Sequence, residues 1–243
     1  MSETTAIHRP VLVAGEAVET GASLEVRYPW DGSLTGTVAL AGPAELEAAI
    51  AAAIAPANRP LDRFARHSIL RNAAALLAGR RDEFAALITR ETGLAAHEAK
   101  YETGRSSDVL EFAAMEALRD DGQVFSCDVS PQGKPRKIIT TRFPLSLVAA
   151  ITPFNHPLNQ VAHKLAPAIA AGAPVVLKPS EKTPLTAVRF AELLHEVQGA
   201  YDTTDAAVEQ AVDVVEGIAD ADVAAAVAAY RREIGQADRA AAG

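Results

Sequence analysis

The sequence predicts an α/β fold, on three observations. Two short apolar runs, Leu147 to Ile151 and Val175 to Leu177, bracket a helical stretch whose Leu158, Val161, Leu165 and Ile169 share one stripe. That stretch has Pro157 at its first position and Gly172 just past its end, the usual asymmetry of helix termini. A strand–helix–strand unit of this length implies a right-handed parallel crossover. Ligands of open parallel sheets bind beyond the carboxyl ends of the strands, and both ends here carry polar punctuation. Thr152-Pro153-Phe154-Asn155 follows the first strand and Lys178-Pro179-Ser180-Glu181 the second.

In chain order, residues 1 to 10 are polar and expected to be loose. Val11 to Arg27 holds two short apolar stretches with Gly15 and Gly21 as turn residues, and Tyr28 to Gly32 reads as a turn before a strand at Thr37 to Leu40. Four helices follow. Pro43 to Ala55 opens with Pro and early glutamates; Leu61 to Leu77 carries Phe64, Ile69 and Leu70; Arg81 to Thr92 stops at Gly93. Ala95 to Arg119 carries Val109, Leu110, Phe112, Ala113 and Leu118, with Gly122 ending it. Gln123 to Arg142 changes period and reads as a two-stranded excursion; Cys127, inside it, reads as a small hairpin residue, since a reactive thiol needs an activating environment. Pro167 should kink the crossover helix by removing one backbone bond, and His163 within it reads as structural. A further helix runs from Pro184 to Val197. The remaining stretch reads as a helical hairpin: Thr204 caps a helix through Val215 with Val208, Val212 and Val215 on a stripe, Gly217 separates, and Asp220 or Asp222 caps a second helix with Val223, Val227, Tyr230 and Ile234.

The 243 residues are 49% hydrophobic and 22% charged, ordinary globular proportions that allow a real core in one or two domains. A net charge of −8 argues against nucleic acid or anionic membrane as a partner. A single cysteine excludes an internal disulfide and suggests a reducing compartment. With no membrane-length apolar run and no secretory pattern at the start, the expectation is a cytoplasmic protein. There is no GxGxxG, no GxxxxGK and no metal pair such as HExxH, so no metal site is expected. Residues 198–243 carry nine acidic against three basic residues and form a distinct acidic block.

Two segments, ITPFN at 151–155 and KPSE at 178–181, resemble the oxyanion and cofactor motifs of the aldehyde dehydrogenase superfamily, in order and at a suitable spacing. The resemblance extends from about Leu24 to about Val197. It implies the N-terminal half of that fold: residues 1–122 as the helical and strand part of the cofactor domain, 123–142 as a protruding oligomerisation hairpin, and 143–197 as a partial dinucleotide-binding unit with an incomplete parallel, Rossmann-like sheet. Residues 198–243 then stand as an unrelated acidic helical tail. From local sequence alone, Asn155 either caps the following helix or donates to a developing oxyanion; the resemblance implies the second. Lys178 and Glu181 form either a weak loop pair or a ligand site; the resemblance implies contacts to the adenosine ribose of NAD. There the charge of Glu181 repels a 2′-phosphate and disfavours NADP. Ile151, Thr152, Pro153 and Ser180 are expected to approach the cofactor. His156 faces the substrate path in the family, and with Arg105 on the preceding long helix it is placed to meet an anionic aldehyde. The stretches DDGQVFSCDVSPQGKPRKIITTR and ITPFNHPLNQVAHKLAP look like the phosphonoacetaldehyde dehydrogenase branch.

Aldehyde oxidation in that family uses a cysteine thiolate and an activating glutamate beyond the cofactor lysine. Neither is matched after Val197. The sequence therefore leads to an expectation of family membership without turnover by this chain alone. The alternative is a nucleotide-binding or assembly module that docks on a homologue through 123–142. Cutting the sheet after two strands would leave an edge for the tail or a partner to cover.

Overall fold

The computed structural model describes residues 7–55, 61–119, 122–201, 212–214 and 220–241. Residues 1–6 of the expected loose start, together with Thr204, Val208, Val215 and Gly217 of the expected helical hairpin, lie outside the described residues.

Among the described residues the order is β1 (Ile7–Arg9), β2 (Val11–Val13), β3 (Glu16–Val18), β4 (Ser23–Arg27), β5 (Leu34–Ala39), α1 (Pro43–Ala53), α2 (Arg63–Gly79), α3 (Arg81–Thr92) and α4 (Ala96–Ala117). There follow β6 (Gln123–Ser126), β7 (Lys137–Thr140), β8 (Val148–Ile151), α5 (Pro157–Ala171), β9 (Val175–Lys178), α6 (Pro184–Tyr201), β10 (Val212–Val214) and α7 (Asp220–Ala241). The central sheet has the order β3-β2-β10-β9-β8. Strands β8, β9 and β10 are parallel, with Ala150 opposite Leu177 and Asp213 opposite Val176, and β2 joins β10 antiparallel. A second sheet, β1-β5-β4, stands beside it, and β6 and β7 form a separate antiparallel pair.

Two sequence expectations are corrected here. Val212 is not on a helix that runs to Val215; Val212–Val214 is a strand, the third parallel member of the sheet. Val-Asp-Val is too short for its alternation to be told from a helical stripe, and pairing with β9 decides the matter. The sheet therefore is not cut after two parallel strands. The second correction concerns α4, expected over Ala95 to Arg119, which ends at Ala117. Its last turn tightens, with the amides of Leu118 and Arg119 donating to the carbonyls of Met115 and Glu116.

Strand β9 shows how the sheet is covered. Val175 and Leu177 point into a core shared with α2 through α6, and Val176 points to the opposite face, into a core of Leu46, Ile50, Leu147, Val223 and Val227. Alternate side chains of a strand face opposite ways, so β9 is buried on both sides, as parallel strands are. The second face is closed by α1 and α7. The expected stripe of Val223 and Val227 is the one that packs.

Helix α4 packs by small residues. Ala99, Thr103, Ser106, Ala113, Ala114 and Ala117 are buried along it, and the hydroxyls of Thr103 and Ser106 return to the carbonyls four residues earlier, which satisfies them without a partner helix. Phe112 and Leu118, expected in the stripe, are exposed, as is Phe64 of α2. Close approach of neighbouring helices favours the small face over the aromatic one. Helix α5 ends at the left-handed Gly172 and α3 at the left-handed Gly93, both as predicted; Pro167 lies inside α5.

Helix α6 is the hub. Leu185, Val188, Phe190, Leu193 and Leu194 are fully buried, and its polar edge is tied outward by Arg9–Glu192, Arg80–Glu196 and Arg189–Glu83. Its amino end is held from α3. The amides of Leu185 and Thr186 and the hydroxyl of Thr186 all donate to the carboxylate of Glu91, itself only 2% exposed. Removing an acceptor of three buried donors costs each its solvation. Glu91→Ala should lower unfolding free energy by roughly 2–4 kcal/mol in urea denaturation. A loss below about 1 kcal/mol, the worth of an ordinary neutral hydrogen bond, would mean water replaces the carboxylate.

Candidate functional site

The site is built where the carboxyl ends of β8 and β9 meet. The amide of Thr152 donates to the carbonyl of Lys178 across the two strand ends at 3.2 Å, which sets the two following loops side by side. After β8 the chain passes through buried Thr152 and exposed Pro153, Phe154, Asn155 and His156 before α5 begins. After β9 it turns at Ser180, whose carbonyl accepts from the amide of Thr183 and whose hydroxyl accepts from the amide of Lys182. Lys182 Nζ sits 4.5 Å from the centre of the Phe154 ring, a cation–π contact between the loops. Asn155, Phe154, Glu181 and Lys182 line one cavity of about 590 Å³, whose far wall is Val26, Pro29 and Leu94.

Asn155 does not cap α5. The residue at the cap position is His156, and the side chain that accepts from the first amides of the helix comes from α4: Leu158 N and Asn159 N donate to Glu102 Oε1 at 2.9 and 3.0 Å. Among the described residues no hydrogen bond holds the Asn155 side chain, so its amide is available to the cavity as a donor. Glu102 is 3% exposed. Its other oxygen, Oε2, lies 3.4 Å from His156 Nδ1, so one carboxylate fixes both the helix start and the residue next to Asn155. The positive end of α5 adds to the field at that loop.

Lys178 is 5% exposed at the end of β9. Its ammonium lies 3.5 Å from Glu181 Oε2 and 3.0 Å from Asp220 Oδ1 at the start of α7. A buried ammonium needs such partners. Ile151 pairs with Lys178 in the sheet, and Ser180 is half-buried at the turn. The structure thus gathers Ile151, Thr152, Pro153, Asn155, Lys178, Ser180 and Glu181 at the carboxyl ends of two adjacent parallel strands. Arg105 is exposed on α4, three residues beyond Glu102 and so on the same helix face as the His156 partner. His163 and Pro167 line a different groove, with Phe112 and Phe143.

Cys127 lies in the β6–β7 loop. Its Sγ is 4.0 Å from the carbonyl of Phe125, and the hollow around it is lined by Val129, Pro135 and Ile138, with no residue of the two site loops. Among the described residues no group of three or more His, Cys, Asp or Glu side chains is placed to hold a metal ion, and no helix is long and apolar enough to cross a membrane.

Sequence reading missed Glu91 and Glu102, and took Asp220 only as a helix cap, not as a partner of Lys178. A glutamate inside a helix ordinarily signals a solvated face, and nothing local distinguishes one that reaches a distant helix start. Glu102→Ala should lower unfolding free energy by roughly 2–3 kcal/mol. Hydrogen exchange should show faster loss of protection at Leu158 and Asn159 than at Leu185; equal protection in the variant and the parent would remove Glu102 as the cap.

The chain is similar to known proteins both in sequence and in fold. The model of the aldehyde dehydrogenase family matches residues 17–231, beyond Val197, where the resemblance read from the motifs ended. Relatives include an aldehyde-dehydrogenase-like protein of Sinorhizobium fredii, 42% identical over 177 residues (72% of this chain and 35% of the relative). A 3-sulfolactaldehyde dehydrogenase of Priestia aryabhattai is 36% identical over 184 residues (76% and 39%). Among solved structures, aldehyde dehydrogenase 21 of Physcomitrella patens, in complex with succinate, superposes with a TM-score of 0.81 at 31% identity, covering 90% of this chain and 45% of that one. The chain thus spans 35% to 45% of the length of these relatives. With the family model matching most of its residues, this chain belongs to the aldehyde dehydrogenase family.

Proposed function

We propose that this chain provides the cofactor-ribose and oxyanion parts of an NAD-dependent oxidation of a small anionic aldehyde to its acid. The observation that carries the reading is the convergence of Asn155 and Lys178 with Glu181 on adjoining strand ends, at the place where open parallel sheets bind ligands. The residues fit the adenosine end of a dinucleotide: a buried ammonium that donates, flanked by exposed carboxylate oxygens that accept from ribose hydroxyls. When bound, the dinucleotide supplies the hydride acceptor. Asn155 donates its amide N–H to the oxygen that turns negative as a thiolate adds to the aldehyde carbon. Cys127 is remote from the site loops, so the nucleophile is not supplied here, and the chain by itself does not turn over.

The anionic substrate class rests on Arg105 and His156, and it is in keeping with relatives named for 3-sulfolactaldehyde and for aspartate, glutarate and succinate semialdehydes. A phosphonate aldehyde such as phosphonoacetaldehyde fits the same pair of donors, the Arg105 guanidinium and the His156 imidazole. Calorimetric titration of the chain with NAD tests the cofactor part. The expected outcome is saturable binding that Lys178→Ala abolishes while the variant still melts cooperatively. Absence of binding to the folded parent would reduce the motif to ancestry.

The hairpin supports association. Val124, Phe125, Ile138 and Ile139 are exposed on a two-stranded sheet with no covering layer among the described residues, and such a pair is marginal alone. We infer that β6 and β7 bind a second copy or a homologous subunit. Sedimentation should find the parent chain larger than a monomer and Ile139→Asp shifted to monomer; a monomeric parent at high concentration would remove self-association.

A further inference from the structure

Three charged groups from two distant parts of the chain meet at the end of β9. The Lys178 side chain is 6% exposed, whereas those of Glu181 and Asp220, which lie 3.5 and 3.0 Å from its ammonium, are 66% and 62% exposed. The ammonium therefore lies beneath two carboxylates that face solvent. Asp220 opens the 22-residue helix α7, and that helix is seated on the sheet by Val223 and Val227. Packing, not the ion pair alone, brings Asp220 to this place.

We propose that Asp220 is the residue that makes this site select a ribose with a free 2′-hydroxyl over one carrying a 2′-phosphate. The inference rests on the reading of Lys178 and Glu181 as the ribose site. With Glu181 alone the pair is neutral, and an ammonium beside a helix start would be a serviceable phosphate site. Asp220 changes both terms. It makes the trio net negative, and it places a carboxylate at the positive end of α7, where the helix would otherwise attract an anion. A ribose hydroxyl can donate to either carboxylate. A 2′-phosphate, with a charge near −1.5 to −2 at neutral pH, has little to donate and meets an unbalanced negative charge. Relatives in this family include both NAD- and NADP-dependent enzymes, so the discrimination has to be made by particular residues of each chain.

The experiment is equilibrium titration of the 243-residue chain and of Asp220→Asn and Asp220→Ser with NAD and with NADP, alongside thermal melts. Asn and Ser both keep a favourable helix-start residue, so α7 should persist in at least one of them. The parent should bind NAD more tightly than NADP. Each folded variant should narrow that ratio about tenfold, the effect of removing one screened charge at contact range, mainly through tighter NADP binding. An unchanged ratio in variants that still bind NAD would overturn the role of Asp220 and leave the ribose site standing. A parent that prefers NADP would also overturn it. A folded parent that binds neither nucleotide would overturn the ribose site and this inference together.

Discussion

Two buried carboxylates hold the candidate site in place. Glu91 on α3 and Glu102 on α4 reach across the core and accept from the first amides of α6 and α5. Each of those helices follows one of the two site loops. A helix start leaves amides without partners, and in a buried setting those amides must be satisfied by something the fold brings to them. Here the N-terminal helices provide it. The loops that carry Asn155 and Glu181 are therefore positioned at one end by the strand hydrogen bond between Thr152 and Lys178 and at the other by a glutamate from a different layer. This makes the helical N-terminal part a support for the site as well as a cover for the sheet.

The two faces of the sheet depend on different parts of the chain. The first face is closed by α2 to α6, whose packing uses alanine, serine and threonine along α4 to bring helices close. The second is closed by α1 and α7. Helix α7 has a double effect: Val223 and Val227 bury one side of β9, and the same seating delivers Asp220 to Lys178. Burial of an ammonium at a strand end is unfavourable unless opposite charge is supplied, and the helix that completes the core also supplies it. The basic groove lined by Arg63, Arg66 and Arg142 and the exposed Phe112 and Phe143 lie apart from this arrangement.

Much of this was legible in the chain. Period, Pro157 and Gly172 gave α5 its limits because helix ends obey local rules of φ and hydrogen bonding. The same kind of rule stopped α3 at Gly93. The motif residues Asn155, Lys178 and Glu181 do lie at one end of the sheet, since strands joined through a helix run parallel and share their carboxyl end. What misled was the exposed face of α4 and the segment around Val212. Phe112 is as hydrophobic as a core residue, but the neighbouring helices approach too closely for it. Val212 has the spacing of a helix and the pairing of a strand.

The sequence by itself determined the elements with local signals, the order of the site loops, and the family to which they belong. Tertiary structure alone decided which glutamates are caps, that residues 212–214 extend the sheet, and that Asp220, 42 positions from Lys178, pairs with its ammonium. The reason is physical. Periodicity and capping act over a few residues, whereas burial of a donor or an ammonium is compensated by whichever group the packing brings within about 3 Å, and sequence distance has no bearing on that.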